Sequence, residues 1–351
     1  MKLCLFSSPI LALLLSAGAS GQPTPQSAGS ALRETTTATV PRAVPEKGDA
    51  VIANVPVEGG TELSFKQQLM HLIELREAAV QRAESAHVID DHLAKIYEEL
   101  GLLYADVAMW ERSETNLEHA ISLFRQSSEP TDELAKSLSG LGRVHVSIGK
   151  LRQGEKEEEE AVRIRESKGD PLLIARSRND MAELYLAQHK FAKAKDAARQ
   201  AIDEFVVNEK ADAFDRISAR YALGLALCAS KDCPSAVAPL KEAIEEGKTT
   251  LHLRDFPLGL GAFLLGYAYW KSGNMAEAGP YMEQGTKIMN EQLGWGHPIY
   301  LVALRHYAQF LRENRRINEA EDVERKIRRA EAVVDVHSLQ APGSFGIAGL
   351  R

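Results

Sequence analysis

A small residue returns at nearly constant intervals along this chain, and that period limits the fold more than any other feature. Gly101, Gly142, Ala182, Gly224, Gly266 and Ala308 are spaced by 41, 40, 42, 42 and 42 residues. Each follows an apolar or aromatic residue, and each is followed three places later by Tyr104, His145, Tyr185, Leu227, Tyr269 or Leu311. A second small residue stands twelve places after the first: Ser113, Gly154, Ala194, Ala236, Ala278 and Ala320. A third stands seven places further on, as Ala120, Ala161, Ala201, Ala243 and Gly285, with Ile327 in the sixth unit. A fixed period of this size marks a stacked array whose units bury surface only against their neighbours.

Apolar residues between 62 and 334 follow a 3.6-residue period, and no stretch alternates as a strand does, so each unit reads as two helices. Antiparallel helices approach closely only where the contact points lack bulk. The first and second small residues are therefore expected to face each other within one hairpin, and the third to let the next hairpin stack. Ile148-Gly149-Lys150, Gln188-His189-Lys190, Ser272-Gly273-Asn274 and Glu313-Asn314-Arg315 supply turns. The expectation is an all-α, right-handed superhelical α-solenoid of six hairpins: 94–134, 135–174, 175–216, 217–258, 259–300 and 301–334. A capping helix over 62–93 precedes it, opened by a Ser64-x-x-Gln67 capping box and carrying Leu69, Leu72, Ile73, Leu75 and Ala79.

The Leu-Gly-x-x-Tyr core of the first helix and the small residues of the second resemble the tetratricopeptide repeat (TPR) family. The repeat length, and Gly296-His297-Pro298 before the sixth unit, are similar to the longer variety of kinesin light chains. Place fifteen, often Gly in that family, is Gly here only in units two and five. The resemblance covers about 94–334. It implies a concave face made by the first helix of each hairpin, with places two, five, nine, twelve and thirteen available to peptides. Those places hold Lys95, Glu98, Lys136, Arg143, Arg176, Asn179 and Glu183 in units one to three. They hold Tyr221, Phe263, Tyr267, Trp270 and Lys271 in units four and five, and Arg305, Gln309 and Arg312 in the sixth. Tyr, Trp and Arg are enriched in binding hot spots. With only 6% aromatics in the chain, the expectation is an aromatic pocket flanked by basic groups, suited to a segment with apolar anchors and acidic groups. Packing of Phe263 and Trp270 between adjacent helices is the alternative.

Searching for catalysis finds no Gly-rich phosphate loop, no Gly-x-Ser-x-Gly elbow and no His-Glu-x-x-His. No cofactor or metal is expected, and Asp90-Asp91-His92 reads as a solvated turn. A formal charge of −7 argues against nucleic acid as a partner. Glu155-Lys156-Glu157-Glu158-Glu159-Glu160 reads as a solvated face, although Glu158 occupies a place where other units mainly have Leu, Ala or Met. The basic run Arg315, Arg316, Arg325, Lys326, Arg328 and Arg329 either complements a helix C-terminus or docks an acidic partner. Cys228 and Cys233 flank the turn of unit four, where a disulfide or two packed thiols both fit.

Residues 1–19 have the layout of a signal peptide, with Lys2, an apolar run densest from Ile10 to Leu15, and Ala17-Gly18-Ala19 as the cleavage pattern. The run is shorter than a membrane span needs, so a cleaved peptide is expected, with an uncleaved anchor as the alternative. Cleavage leaves 41 basic against 49 acidic residues, a charge of −8. Residues 20–61 are rich in Pro, Ser, Thr and Gly and read as a linker, and 335–351 as a tail. The whole reads as an exported (periplasmic, envelope or secreted), non-catalytic scaffold for an unidentified protein or peptide, without a membrane span in the mature chain. A peptide-sensing adaptor and an all-helical enzyme are the alternatives, the last requiring a perturbed acid–base pair in the groove.

Overall fold

The structure, a computed structural model, describes residues 65–87, 91–126, 130–250 and 256–340, with side chains to 332. The signal peptide, the linker, the Ser64 capping residue and the end of the tail lie outside the described residues. Thirteen α-helices and no strand are found among them. They are α1 (Phe65–Ser85), α2 (Asp91–Asp106), α3 (Trp110–Phe124), α4 (Asp132–Ser147), α5 (Leu151–Lys168), α6 (Pro171–Ala187) and α7 (Phe191–Val207). They continue as α8 (Ala213–Ala229), α9 (Cys233–Thr250), α10 (Phe256–Lys271), α11 (Met275–Leu293), α12 (Pro298–Glu313) and α13 (Ile317–Gln340). From α2 onward each even-numbered helix pairs with the next to form a hairpin, and successive hairpins stack into an all-α solenoid. No helix among the described residues is long and apolar enough to cross a membrane.

The small residues sit at the helix crossings. Ser113 of α3 donates from Oγ to the Gly101 carbonyl of α2 at 2.6 Å. A Cβ on Gly154 would lie 2.7 Å from the Gly142 carbonyl oxygen, so only glycine lets α4 and α5 touch there. The third small residue departs from expectation. A Cβ on Gly285 would meet Phe263 N and Gly259 O of α10, its own hairpin partner, at 2.6 and 2.7 Å. Seven residues is two turns along one stripe, so the second and third places share a partner helix.

The turns repeat with the same period. Ala108, Gly149, His189, Lys231, Gly273 and Arg315 all have φ between 58° and 84°. The next residue's N–H reaches back to close the helix, as in Lys150 N to His145 O at 2.7 Å and Arg316 N to Leu311 O at 2.8 Å. This is the Schellman pattern, in which a left-handed residue satisfies the last carbonyls. Place fifteen thus keeps the family's conformation in all six hairpins, although four of them lack the glycine.

The array bends so far that its ends meet. Helix α1 packs on α2 and also against α11 of the fifth hairpin. Beside that contact, His297 Nε2 donates to the Asp106 carbonyl at the end of α2 at 3.3 Å, across 191 residues of sequence. Its Nδ1 accepts from Ile299 N at 3.3 Å and caps α12. One imidazole serves both bonds only when neutral, protonated on Nε2 and bare on Nδ1. Burial, with help from Lys66, pushes its pKa down to about 4 despite the bond to Asp106.

Two further differences from expectation concern the ends. Leu69 and Ile73 of α1 are buried, but Leu75 is 45% exposed. It lies six residues from Leu69, off the i, i+4 stripe that α2 covers. Helix α13 runs to Gln340, into the segment read as a tail, because no helix breaker occurs before Pro342.

The apolar core falls into two large blocks. One joins α1 to α5, the other extends from α6 to α13. Between them, where α5 meets α6, lies a buried polar network.

Candidate functional site

The concave face is lined by α2, α4, α6, α8, α10 and α12, as the hairpin stacking requires. Its polar half is largely self-paired from one hairpin to the next. Lys95 pairs with Glu133 at 3.2 Å. Lys136 pairs with Glu98, a buried acid whose pKa is raised by burial and only partly restored by Lys136. Arg143 pairs with Asp180 at 3.4 Å. Arg176 grips Asp215 with two bonds of 2.9 and 2.8 Å. In the last hairpin Arg305 pairs with Glu331 at 2.6 Å and Arg312 with Glu324 at 2.7 Å. The basic groups expected to meet an acidic ligand are therefore already engaged by carboxylates.

The aromatic pocket is also closed. Tyr221, Phe263 and Trp270 are 1%, 0% and 2% exposed. Tyr221 lies over Gly261 and donates to the Pro257 carbonyl at 3.0 Å. Trp270 donates from Nε1 to Glu313 at 2.7 Å and stands edge-on to Phe310, with ring centroids 6.0 Å apart. Tyr267 is half-buried, edge-on to Trp270 and His306. These rings fill the crossings between adjacent concave-face helices, the arrangement that gives a flat side chain the most contact. Exposed Lys271 rests its ammonium 3.4 Å from the Trp270 ring centroid, and burial against the rings lowers its pKa although Glu313 opposes this. Tyr267 and Lys271 remain as the reachable part of this end.

The unspent chemistry lies between α4 and α6. Arg165 of α5, almost fully buried, reaches Asp132 at 3.2 Å, Ser177 at 3.2 Å and Asp180 at 3.1 Å. Glu158 of α5 is buried beside it and accepts from Ser139 Oγ at 3.1 Å. Burial, reinforced by Asp180 and opposed by Arg165 and Arg143, pushes Glu158 up to about 8. A void of about 10 Å³ is lined by Arg143, Glu158, Asp180 and Glu183 and by the glycines of the crossing. Arg143 Nε and Asn179 Oδ1 are buried without a hydrogen-bond partner. Asn179 Nδ2 donates to Ser218 Oγ at 3.0 Å. Glu183 is half-buried, one turn after Asn179 on α6, and no hydrogen bond reaches its carboxyl among the described residues. Burial raises its pKa to about 8, with Arg143 lowering it and Asp180 raising it.

Matches to two family profiles described as "Tetratricopeptide repeat" fall on residues 92–167 and 262–290. The chain is a tetratricopeptide-repeat protein. Among solved structures, a Rap protein complexed with Competence and Sporulation Factor is similar, with 12% identity, 76% of this chain and 71% of that chain covered, and a TM-score of 0.62. The apo form of RapI has 12% identity, coverage of 77% and 93%, and a TM-score of 0.55. BtubC from P. vanneervenii has 18% identity, coverage of 63% and 90%, and a TM-score of 0.50. At these identities the likeness is one of fold. A search of curated proteins finds no match.

Within the TPR frame, Asn179 and Glu183 occupy places five and nine of the third repeat, and Arg143 place nine of the second. The sequence placed all three on the concave face. It did not show that Asp180 would engage Arg143, nor that Arg165, from the second helix of its hairpin, would reach the same cluster. Cys228 and Cys233 are disulfide-bonded across the turn of repeat four, with Cα atoms 4.1 Å apart. Asp91 and His92 open α2, while Asp90 lies outside the described residues.

Proposed function

We propose that this TPR protein is a non-catalytic scaffold that binds an extended peptide across the concave face at repeats two to four, after export directed by residues 1–19. The observation that carries this reading is a pair of unspent hydrogen-bonding groups on neighbouring helices, Arg143 Nε as donor and Asn179 Oδ1 as acceptor. Buried polar atoms without partners are rare in native interiors. A peptide backbone supplies both kinds of partner, its carbonyl for Arg143 and its N–H for Asn179. The raised carboxyls here do not favour an enzyme. They face arginines and a void of about 10 Å³, too small for a reacting group. The Rap neighbour's complex with Competence and Sporulation Factor supports the reading at the level of fold.

A photo-crosslinking residue in place of Ser147, on the concave face, should capture a partner that the same residue at Lys156, on the exposed side of α5, does not. Equal capture from both positions would refute the concave site. Export is tested separately, by N-terminal sequencing of the chain recovered from cells, which should begin at residue 20.

A sensor is the second reading, favoured by the contact of α1 with α11. A ligand that changes the pitch of the solenoid must alter that contact. A distance measured between spin labels on α1 and α11 should then change when the ligand is added.

A further inference from the structure

The two polar atoms offered to a peptide are out of reach in this form. Arg143 Nε and Asn179 Oδ1 are buried and have no partner among the described residues. A peptide backbone meets them only if α4 and α6 part. The buried apolar residues of α4 belong mainly to the first core block, and Ala182 and Leu186 of α6 to the second. Parting the helices therefore turns one block against the other. The blocks are joined a second time where the ends of the array meet, and two bodies joined at two places cannot turn at one joint without disturbing the other. This second joint is small and polar. Helix α1 is tied to α2 by Arg76 with Glu99, by Tyr97 donating to Glu84 at 2.5 Å and by Tyr104 donating to Glu77. Its Leu69, Ile73 and Val80 belong to the first core block, whereas Met289 and Leu293 of α11 belong to the second. No buried apolar cluster among the described residues spans the joint. Lys66 of α1 lies beside Gly294 at the end of α11, and His297 makes the connection. Its Nε2 donates to the last carbonyl of α2 while its Nδ1 caps α12. One ring thus satisfies an orphan group at each of two helix ends that belong to different blocks.

We propose that this joint is an autoinhibitory clasp: closed, it holds the concave peptide site shut, and its release lets α4 and α6 part. The proposal rests on the peptide reading above and adds the regulation of that site. The closed ring is the resting form and the open one is the form that binds. Helix α1 moves with α2, to which it is tied, and leaves α11 and His297 behind. A peptide selects the open form, so its apparent affinity is the intrinsic affinity reduced by the open fraction. While that fraction is small, whatever weakens the clasp raises affinity by the factor by which it raises the open fraction.

His297→Asn separates the clasp from the fold. Asn at an N-cap still accepts from the Ile299 N–H, but its shorter side chain does not reach the Asp106 carbonyl. Loss of that one neutral hydrogen bond should raise the open fraction roughly fivefold. The test uses the purified full chain. Asn179→Cys, made with and without His297→Asn, reports opening as the rate of maleimide labelling at position 179, read by mass spectrometry of tryptic fragments. A buried thiol reacts in proportion to the open population when reclosing is fast. Affinity is measured on chains that keep Asn179, with a linear peptide selected from a displayed random library. His297→Asn should raise both the labelling rate and the affinity, by the same factor. An unchanged labelling rate would overturn the clasp and leave the peptide site standing. Faster labelling with unchanged or weaker affinity would overturn the autoinhibition, because opening would then not serve the peptide. A library that yields no binder to either protein would overturn the peptide reading, and this proposal with it. Should Asn179→Cys fail to fold, amide exchange in α6 of His297→Asn against wild type reads the same opening.

Discussion

Two glycines of α11 should respond differently to the same substitution. Gly285 sits at the crossing of α10 and α11, where an added Cβ would lie 2.6 Å from Phe263 N and 2.7 Å from Gly259 O. Both neighbours are backbone, so no rotamer change relieves the contact, and the helices must part by somewhat under an ångström. Overpacking of this kind costs about 1–3 kcal/mol. Against it stands the helix propensity of Ala over Gly, about 0.8–1.0 kcal/mol. Gly285→Ala should therefore destabilise the protein by up to roughly 2 kcal/mol. Gly279 lies six residues earlier, where a Cβ would meet the Phe310 ring at 3.5 Å, an ordinary contact. There the propensity gain is offset by Pro280, whose Cδ crowds a Cβ on the helical residue before it, so Gly279→Ala should leave stability nearly unchanged. Urea unfolding followed by far-UV circular dichroism measures both, with the slopes compared because stacked repeats can unravel in parts. Amide exchange in α10 and α11 localises the effect. Gly285→Ala with stability equal to or above wild type would refute the view that the 42-residue period records close helix crossings.

Ala108 holds the left-handed turn at φ 60°, which costs a non-glycine residue about 1–2 kcal/mol. Ala108→Gly should raise thermal stability, less the extra chain entropy of glycine in the unfolded state. His145 is buried, which alone lowers its pKa, but Glu157 at 2.6 Å and Glu114 at 3.0 Å outweigh burial and raise it. The stability it supplies is full below its unfolded pKa of about 6.5 and is lost as pH rises through the folded value. His145→Asn should thus cost more stability at pH 6 than at pH 9 in matched urea titrations. For His297 the sign reverses, since its folded pKa lies below the unfolded one. Its contribution is full above pH 6.5 or so and lost as pH falls toward the folded value of about 4. NMR should show this imidazole titrating near 4, and His297→Ala should speed amide exchange in α1.

The hairpins were legible because helix contact is a local matter of side-chain volume, and small residues recur at the crossings. Turn geometry was legible in part. Gly149 and Gly273 announced it, while Ala108, His189, Lys231 and Arg315 adopt the same conformation without the glycine. The character of the concave face was not legible. Place numbers put Tyr221, Phe263, Arg143 and Arg176 on that face, but exposure there depends on how tightly successive helices wind. Winding is set by pairs some forty residues apart, such as Arg176 with Asp215 and Lys136 with Glu98. Each arginine looks free until the acid of the next repeat is placed beside it. The closure between α1 and α11 was invisible for the same reason, because the curvature of a solenoid is a sum of small rotations that no single repeat reveals.

The two core blocks and the two ends of the array are mechanically linked. The blocks meet where α4 and α5 lie against α6, and there ion pairs and a small void stand beside a minor apolar cluster of Val146, Leu184 and Ala187. They meet again where α1 of the first block lies against α11 of the second and His297 reaches Asp106. Apolar packing resists separation at every point of contact, because any gap forfeits dispersion and exposes surface. An ionic seam tolerates a change of angle better, since charged groups that part can take water as a partner. If the seam and the α1–α11 contact are coupled, the coupling is reciprocal, so whatever loosens one shifts the equilibrium of the other by the same factor.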